Sequence, residues 1–406
     1  SSVLFGQGGV ENKTFLQAFG YDPSGFYRPV GQVLLWAIFQ FAGHHAPAYH
    51  AVNLVLFGLI VLFFFAIFVR LTKDRPIAFL GALLYAVHPL NGMIVNYVTA
   101  RSLAAFVLFT QASVLCFMRF CEEGRQPRWI VLSTGAFLLA LLSHEMSLVI
   151  PVYLAAYIFF MGKEKGWRPF LYLLPFAGVV LLFMAVRMKA SFFPFIIQGT
   201  GKAMGDPSGY FTTWFDLVSW YLSKLIVPRE VIFLWSVRYG AALFPVKFII
   251  FTFALASMAY WALFRSEKGW RPFALVIFTV GIVPSVFAAF SYYPKVWPML
   301  EPHWFYFSQM GFFLLAAGLL MKLVRQYEPW GAVSCVLIVA ALAVLAWDYN
   351  ARWKTQESYA RYWISLNNGN LTPYYSLGRS LIDQGNCRGA VQVFEEGVRQ
   401  LDYMNG

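Results

Sequence analysis

The sequence has 406 residues, of which 59% are hydrophobic, 19% aromatic and 12% charged. This composition excludes a water-soluble globular protein and predicts a polytopic membrane protein. The net charge of +12 does not by itself indicate nucleic-acid binding, because basic residues also set the orientation of membrane proteins. We therefore expect membrane lipid, and no nucleic acid, as a partner.

The first apolar run, 31–43, is too short to cross a hydrocarbon core of about 30 Å and is predicted to lie at the membrane interface. Residues 1–48 are accordingly assigned to an outer loop with one interfacial helix. Residues 49–347 are assigned to a transmembrane domain, since ten longer apolar runs predict spans within it. The predicted spans are 49–70, 76–91, 101–120, 129–143, 147–161, 169–186, 244–264, 272–290, 304–322 and 330–347.

Basic turns follow every second predicted span, with the sequences RLTKDR, RFCEEGRQPR, KEKGWR, RSEKGWR and KLVRQ. The positive-inside rule places these turns in the cytoplasm. The long loop 187–243 and the tail 348–406 then face the periplasm of a bacterial inner membrane, or the lumen if the membrane is the endoplasmic reticulum.

Polar interruptions of the apolar runs all fall on the predicted outer side. They are Arg28, His88, Arg101, His144, Glu145, Arg187, Glu301 and His303. An ionisable group inside a membrane costs about 2.5 to 3.5 kcal/mol, so their crowding on one side predicts a shared cavity. In the alternative interpretation, single charges reach the headgroups, His88 caps one span and Arg101 begins the next.

Several stretches resemble, in the same order, signatures of the transmembrane and tetratricopeptide-repeat O-mannosyltransferase-like proteins. They are FYRPVGQVLLW, YHAVNLVLF, ALLYAVHPLNGMIVNYVTAR, SHEMSLVIPVY, VRMKA and LEPHWFYFSQMGFFLL. The resemblance runs from about residue 10 to the end. It implies an all-α membrane protein with a GT-C-like helical membrane domain and a C-terminal tetratricopeptide-repeat segment.

The tail supports the resemblance with the small and large positions of one tetratricopeptide repeat. These positions are Tyr374, Leu377, Gly378, Leu381, Ala390, Phe394 and Gly397. One repeat cannot bury a continuous core, so we expect either further repeats in the native protein or docking of this one onto the membrane domain.

The resemblance implies transfer of a sugar from a polyprenyl-phosphate donor to a protein acceptor that the repeat recruits. Arg28, Arg101 and Arg187 would hold the donor phosphate, because a guanidinium fork matches phosphate oxygens. Three histidines, His88, His144 and His303, would donate hydrogen bonds to sugar or phosphate. Glu145 and Glu301 match acids of the family and would position the donor or a metal, although each could simply neutralise a neighbouring cation.

The catalytic carboxylate departs from the family pattern. An aspartate pair is expected in the first outer loop, yet Leu4 and Phe5 stand where those acids belong. Asp22 and Glu11 are the carboxylates of that loop and are the candidate bases. The span that precedes this loop in the family is absent, so we expect the chain to begin inside a longer native protein. The alternative function is a non-catalytic accessory subunit, in which the repeat docks a partner of a larger membrane complex.

Other chemistries have little support. The four cysteines lack paired spacing, and His44 and His45 would point about 100° apart on a helix, so no metal site is predicted. No cofactor besides the sugar donor is expected, and the need for a divalent metal is left open. A transporter is disfavoured, because its halves usually repeat and its sites lie near the bilayer midplane.

Overall fold

A computed structural model of the chain describes residues 14–19, 27–97, 100–164, 166–187, 199–240, 269–291, 297–366 and 370–405, with a few more between 253 and 263. Helices dominate these residues. Up to residue 187 they are α1 (Pro29–Ala42), α2 (Ala46–Thr72), α3 (Arg75–Val87), α4 (Gly92–Asn96), α5 (Arg101–Glu122), α6 (Pro127–Leu141), α7 (Ile150–Met161) and α8 (Leu174–Arg187).

The second half continues the same architecture. Its helices are α9 (Pro207–Ile226), α10 (Trp270–Val280), α11 (Ser285–Ala288), α12 (Gln309–Gln326), α13 (Trp330–Arg352), α14 (Gln356–Ser365), α15 (Thr372–Asp383) and α16 (Cys387–Asn405). Short 3₁₀ turns at Pro89–Asn91, Glu145–Val149, Arg168–Leu173 and Pro302–Phe305 precede four of the helices.

Among the described residues, five helical segments are long and apolar enough to cross a membrane. They are Ala46–Thr72, Arg101–Glu122, Arg168–Arg187, Trp270–Ala288 and Trp330–Arg352. A sixth span is possible if the bent pair of α3 and Pro89–Asn96 counts as one. These segments confirm an all-α polytopic membrane protein, since such lengths match the hydrocarbon thickness.

The remaining predicted spans differ from the observed helices. The runs 129–143 and 147–161 form α6 and α7, of 15 and 12 residues, and 304–322 begins as a 3₁₀ turn before the 18 residues of α12. The run 244–264 lies mostly outside the described residues. The number of ten spans therefore stays a prediction, as do the domain boundaries at residues 48 and 347.

The predicted span 76–91 is bent by 61° at His88–Pro89. Proline lacks the N–H that would continue α3, and the residue before it is driven into an extended conformation. His88 adopts that conformation, with ψ 127°. The chain therefore leaves α3 and re-enters the domain through a 3₁₀ turn and α4.

Helix α5 lies at the centre of the packing and contacts α1, α2, α6 and α7. Gly31 lets α1 approach it closely, because a Cβ on Gly31 would lie 2.5 Å from the Ser102 Cβ. In contrast, Leu54, Val55 and Leu62 on α2 are exposed. Exposed apolar side chains on a 27-residue apolar helix fit a lipid-facing surface.

Two ion pairs between helix ends mark one end of the helical bundle. Arg70 at the end of α2 pairs with Glu122 at the end of α5, and Arg325 at the end of α12 pairs with Asp74 before α3. We call this the basic-turn end, since it holds the basic turns between helices. The polar interruptions that the sequence analysis singled out lie around the opposite helix termini.

The predicted outer loop 187–243 contains helix α9, which packs into the domain, with Leu217 and Tyr221 fully buried. A two-residue strand, β1 (Trp235–Ser236), pairs antiparallel with β2 (Met299–Leu300). This pairing holds the end of the loop beside Glu301 and was not expected from the sequence.

The tail forms three consecutive helices, α14, α15 and α16, which pack in sequence order. Gly378 of α15 lies against the ring of Phe394 on α16, where a Cβ would come within 2.3 Å of Phe394 Cε1. Helix α14 also packs onto the membrane domain. The backbone N–H of Phe233 donates to the hydroxyl of Tyr359 at 2.8 Å.

Candidate functional site

The Glu145 carboxylate is the centre of a charged cluster at the end opposite the basic turns. Arg28 binds it with two parallel hydrogen bonds, 3.1 Å from Nε to Oε2 and 2.6 Å from Nη2 to Oε1. The Nη2 atom of Arg187 lies 3.7 Å from Oε2, and its Nη1 donates to the carbonyl of Tyr27 at 3.4 Å. Two cations therefore share one carboxylate in these contacts.

Local sequence positions these three side chains. Arg28 immediately precedes α1, where Pro29 starts the helix, and Arg187 is the last residue of α8. Glu145 begins the 3₁₀ turn between α6 and α7. All three therefore stand at helix termini, where the chain leaves its apolar segments.

Charge and burial act in opposite directions on Glu145, which lies in the turn between two predicted spans. Burial alone would raise the pKa of its carboxyl, but the positive charges of Arg28 and Arg187 hold that pKa well below 4.5. Opposite charges at this distance favour the ionised form. Glu145 is thus an anion that holds two arginines in place.

The His144 imidazole is buried beside this cluster. Its Nδ1 accepts the backbone N–H of Met146 at 3.3 Å, and within the described part of the chain its Nε2 has no hydrogen-bond partner. Burial lowers the pKa of His144 well below 6.5, and the charge of Arg28 lowers it further. A neutral ring with one unpaired nitrogen is available to a ligand.

The His303–Glu301 pair extends the cluster. Nε2 of His303 lies 2.8 Å from Oε2 of Glu301, and the rings of His144 and His303 are 6.5 Å apart between centroids. Strand β2 and the 3₁₀ turn at Pro302–Phe305 fix these two residues. The structure thus brings six predicted site residues together: Arg28, His144, Glu145, Arg187, Glu301 and His303.

A small, mostly apolar cavity of about 10 Å³ lies next to the histidines. Phe106, Met146 and Trp304 contribute to its wall, and Phe106 also packs on the His144 ring. Ligand pockets usually measure about 300 to 1,000 Å³. The cavity is therefore a small apolar space beside the charged cluster, and the charged side chains do not line it.

Arg101 is buried at a separate position. Only 1% of it is exposed, and its guanidinium carbon lies 5.0 Å from the centre of the Tyr49 ring. Its Nε and Nη1 atoms have no hydrogen-bond partner among the described residues. Arg101 begins α5, whose Phe106 touches His144, so it lies on the helix that backs the cluster.

The His88 imidazole is held by backbone groups. Its Nε2 contacts the carbonyl of Leu225 at 3.2 Å, and its Nδ1 accepts the N–H of Leu90 at 3.4 Å. These contacts match the capping alternative of the sequence analysis. Asp22 and Glu11, the candidate bases, lie outside the described residues, so their placement stays a prediction.

The sequence analysis missed the aromatic residue that connects the cluster to the tail. The Phe233 ring lies 6.0 Å from that of His303 and 6.0 Å from that of Trp363 on α14. It lies in the loop 227–236, where no sequence motif marks it.

The described residues contain no group of three or more His, Cys, Asp or Glu side chains that could hold a metal ion.

Comparisons with known proteins point to the protein mannosyltransferases. A family model described as dolichyl-phosphate-mannose-protein mannosyltransferase matches residues 23–190. This range includes four of the six cluster residues, Arg28, His144, Glu145 and Arg187, and also Arg101. A Caenorhabditis elegans protein named Protein O-mannosyl-transferase F38B6.6 is 23% identical over 403 residues. That match covers 92% of the chain and 53% of the relative, so the chain spans about half of the relative's length. No solved structure matches the chain.

Proposed function

Because the comparisons support the O-mannosyltransferase-like family of the GT-C type, we propose that the chain transfers a sugar from a polyprenyl-phosphate donor to a protein hydroxyl. The family description names dolichyl-phosphate mannose, so a polyprenyl-phosphate mannose is the first donor to test. The reaction would take place at the end of the membrane domain that holds the Glu145 cluster.

The convergence of Arg28 and Arg187 on Glu145 is the observation that carries this proposal. Breaking the glycosidic bond leaves negative charge on the donor phosphate, and fixed cations stabilise such charge most when they need no rearrangement. Glu145 fixes both guanidinium groups before any donor binds. The neutral imidazole of His144 and the ring of His303 would orient the sugar hydroxyls.

Glu145 itself is a poor general base, because two arginines hold it ionised with a lowered pKa. A base must take a proton from the acceptor hydroxyl, and efficient bases have a pKa near the working pH. The proposal therefore assigns proton removal to Asp22 or Glu11 and assigns positioning to Glu145. A divalent metal is not required by this assignment.

The tail would recruit the protein acceptor. The close packing of Gly378 on Phe394 supports a tetratricopeptide repeat made of α15 and α16, whose small residues admit large ones from the facing helix. Phe233 joins α14 to the His303 side of the cluster. An acceptor peptide held by the tail would therefore lie near the reacting groups.

We further propose that the cluster end faces the periplasm or the lumen. Arg70, Arg125 and Arg325 lie at the opposite end, and basic turns are retained in the cytoplasm. The membrane would be a bacterial inner membrane or that of the endoplasmic reticulum.

The activity is tested with the purified chain, a radiolabelled polyprenyl-phosphate mannose and serine- or threonine-containing peptides. Transfer to peptide is expected, and Arg187→Ala and Asp22→Asn should abolish it. Arg352→Ala is the matched control, since Arg352 is a half-exposed helix residue that pairs with Asp348. Equal transfer by Arg187→Ala and native protein would contradict the proposed site.

A second candidate function is an accessory subunit that binds the donor or a partner without catalysis. The observation that favours it is the presence of Leu4 and Phe5 where the family acids are expected. It predicts donor binding without turnover and stable co-purification with other membrane proteins. Turnover by the isolated chain would exclude it.

A further inference from the structure

A second cluster of cations lies at the basic-turn end, where α5 ends and α6 begins. The guanidinium of Arg119 lies 4.7 Å from the centre of the Trp129 ring, and that of Arg128 lies 5.0 Å from it. Among the described residues neither arginine has a carboxylate partner, and the buried Nε of Arg119 has no hydrogen-bond partner at all. Both guanidinium groups thus lie within 5.0 Å of the centre of the same indole ring.

The turn between the helices forces this meeting. Gly124 and Arg125 both have positive φ, 69° and 58°, which reverses the chain tightly between α5 and α6. Arg128 then lies in the first turn of α6, where a cation is disfavoured by the helix dipole. An anion that bound both arginines would relieve this repulsion.

Carboxylates nearby are already engaged. Glu122 pairs with Arg70, Glu164 pairs with Arg125, and Glu123 accepts the Nε1–H of Trp129 at 2.9 Å. Arg125 also donates to the hydroxyl of Tyr172 at 2.6 Å. These contacts tie the segment around residues 164–172 to the same turn.

That segment carries one of two identical stretches, EKGWRPF at 164–170 and again at 267–273. In the second copy Trp270 packs on Gly318, and Arg271 stacks 4.5 Å from the centre of the Trp261 ring. In the first copy Trp167 is 68% exposed and Arg168 is also exposed. The same residues are thus used for packing in one copy and left on the surface in the other.

We propose that Arg119, Arg128, Trp129, Trp167 and Arg168 form a site for the headgroup of an anionic phospholipid, called here the inner lipid site. Tryptophan rings reside at the membrane interface, and clusters of arginine attract anionic lipids in the leaflet they face. The lipid phosphate would bind the guanidinium groups of Arg119 and Arg128 beside the Trp129 ring. Trp167 would lie among the upper acyl carbons, with Arg168 at the headgroup.

Native mass spectrometry of the full chain, released from micelles containing equal phosphatidylglycerol and phosphatidylcholine, tests the inner lipid site. The native chain should retain phosphatidylglycerol in preference. Arg119→Gln with Arg128→Gln should weaken this retention about 30-fold, since each change removes a direct guanidinium–phosphate hydrogen bond, which contributes roughly a factor of five. Trp167→Ala, which leaves the charge unchanged, should weaken it as well.

Two controls separate a site from diffuse charge. Lys73→Gln with Lys322→Gln removes the same charge from exposed positions at the same end of the bundle, and Arg271→Gln alters the packed copy of the repeated stretch. Both should leave phosphatidylglycerol retention within twofold of native. Equal loss in the lysine control, equal retention of both lipids, or unchanged retention in the arginine variant would overturn the proposal.

Discussion

At the residue scale, Glu145 holds together side chains that are far apart in the sequence. Arg28 lies 117 positions away and makes two hydrogen bonds with it. A carboxylate and a guanidinium in this bidentate arrangement form one of the stronger polar contacts in proteins. The contact joins the start of α1 to the turn between α6 and α7.

Replacing Glu145 by Gln should destabilise the protein by about 2 kcal/mol. Removing one partner of a fully buried ion pair costs about 3 to 5 kcal/mol; here about a fifth of each side chain is exposed, which reduces the loss. Thermal unfolding in detergent measures it. Glu357→Gln is the control, because Glu357 forms a similar pair with Arg361 on the exposed tail and should cost little.

The same pair makes stability depend on pH in a defined direction. A carboxyl whose pKa is lowered by folding contributes stability above its unfolded pKa of about 4.3 and loses it as pH falls through the folded value. The stability difference between native protein and Glu145→Gln should therefore be constant from pH 7 to pH 5 and shrink in more acidic solution. A difference that grows on acidification would contradict this.

Replacing Arg101 should raise the stability of the protein while it lowers the proposed activity. Among the described residues its buried guanidinium leaves two nitrogens without partners, and each unsatisfied buried group costs about 1 to 3 kcal/mol. Arg101→Met should raise the free energy of unfolding by about 1 kcal/mol, after loss of the contact with Tyr49. Because the family resemblance assigns Arg101 to the donor phosphate, the change should also abolish the proposed transfer. Chemical denaturation and the transfer assay are measured on the same sample; lower stability would contradict the prediction.

At the element scale, the candidate site residues lie at helix ends, whereas the middle parts of the helices pack against one another. The 61° bend at His88–Pro89 follows from local sequence, because proline ends α3 and His88 caps the next turn. The extent of α6 and α7 does not, since apolar runs of 15 residues fit either a short span or a buried helix. The strand pair β1–β2 joins residues 63 and 65 positions apart and leaves no local signal.

The crossing of α1 over α5 depends on Gly31. Gly31→Val should destabilise the protein by about 1 to 3 kcal/mol, because overpacking forces backbones apart and Ser102 offers no space. Gly58→Ala on α2 is the control, since no atom of the described residues lies within 4 Å of its Cβ position. That substitution should be neutral or stabilising; equal thermal shifts in both variants would refute the crossing.

At the scale of the whole molecule, the charged cluster and the tail form one continuous structure. The hydroxyl of Tyr359 accepts the backbone N–H of Phe233, and the Tyr359 ring stacks on Trp353 with 3.9 Å between centroids. The tail is thereby fixed beside His303. Placement of this kind would allow an acceptor bound to the tail to reach the cluster.

Tyr359→Phe should loosen this attachment. The variant leaves the Phe233 N–H without its acceptor, which costs about 1 kcal/mol, and amide hydrogen exchange at residues 231–235 should accelerate several-fold. Tyr375→Phe is the control, because Tyr375 is mostly exposed. Unchanged exchange in Tyr359→Phe would show that the tail is held by other contacts.

The sequence by itself determined the membrane class, the helical character and the separation of basic turns from polar interruptions. Hydrophobic content and charge spacing are local properties, and they decide which segments can enter lipid. The basic turns meet through Arg70–Glu122 and Arg325–Asp74, at the end where the alternation of charge predicted them.

Only the tertiary structure decided which polar residues meet. Eight similar residues were predicted to share one cavity, yet six converge around Glu145 and His303, while His88 binds backbone carbonyl and amide groups and Arg101 packs on Tyr49. Helix rotation and the close approach at Gly31 set these partners. Both depend on contacts between residues distant in the chain, which no local pattern specifies.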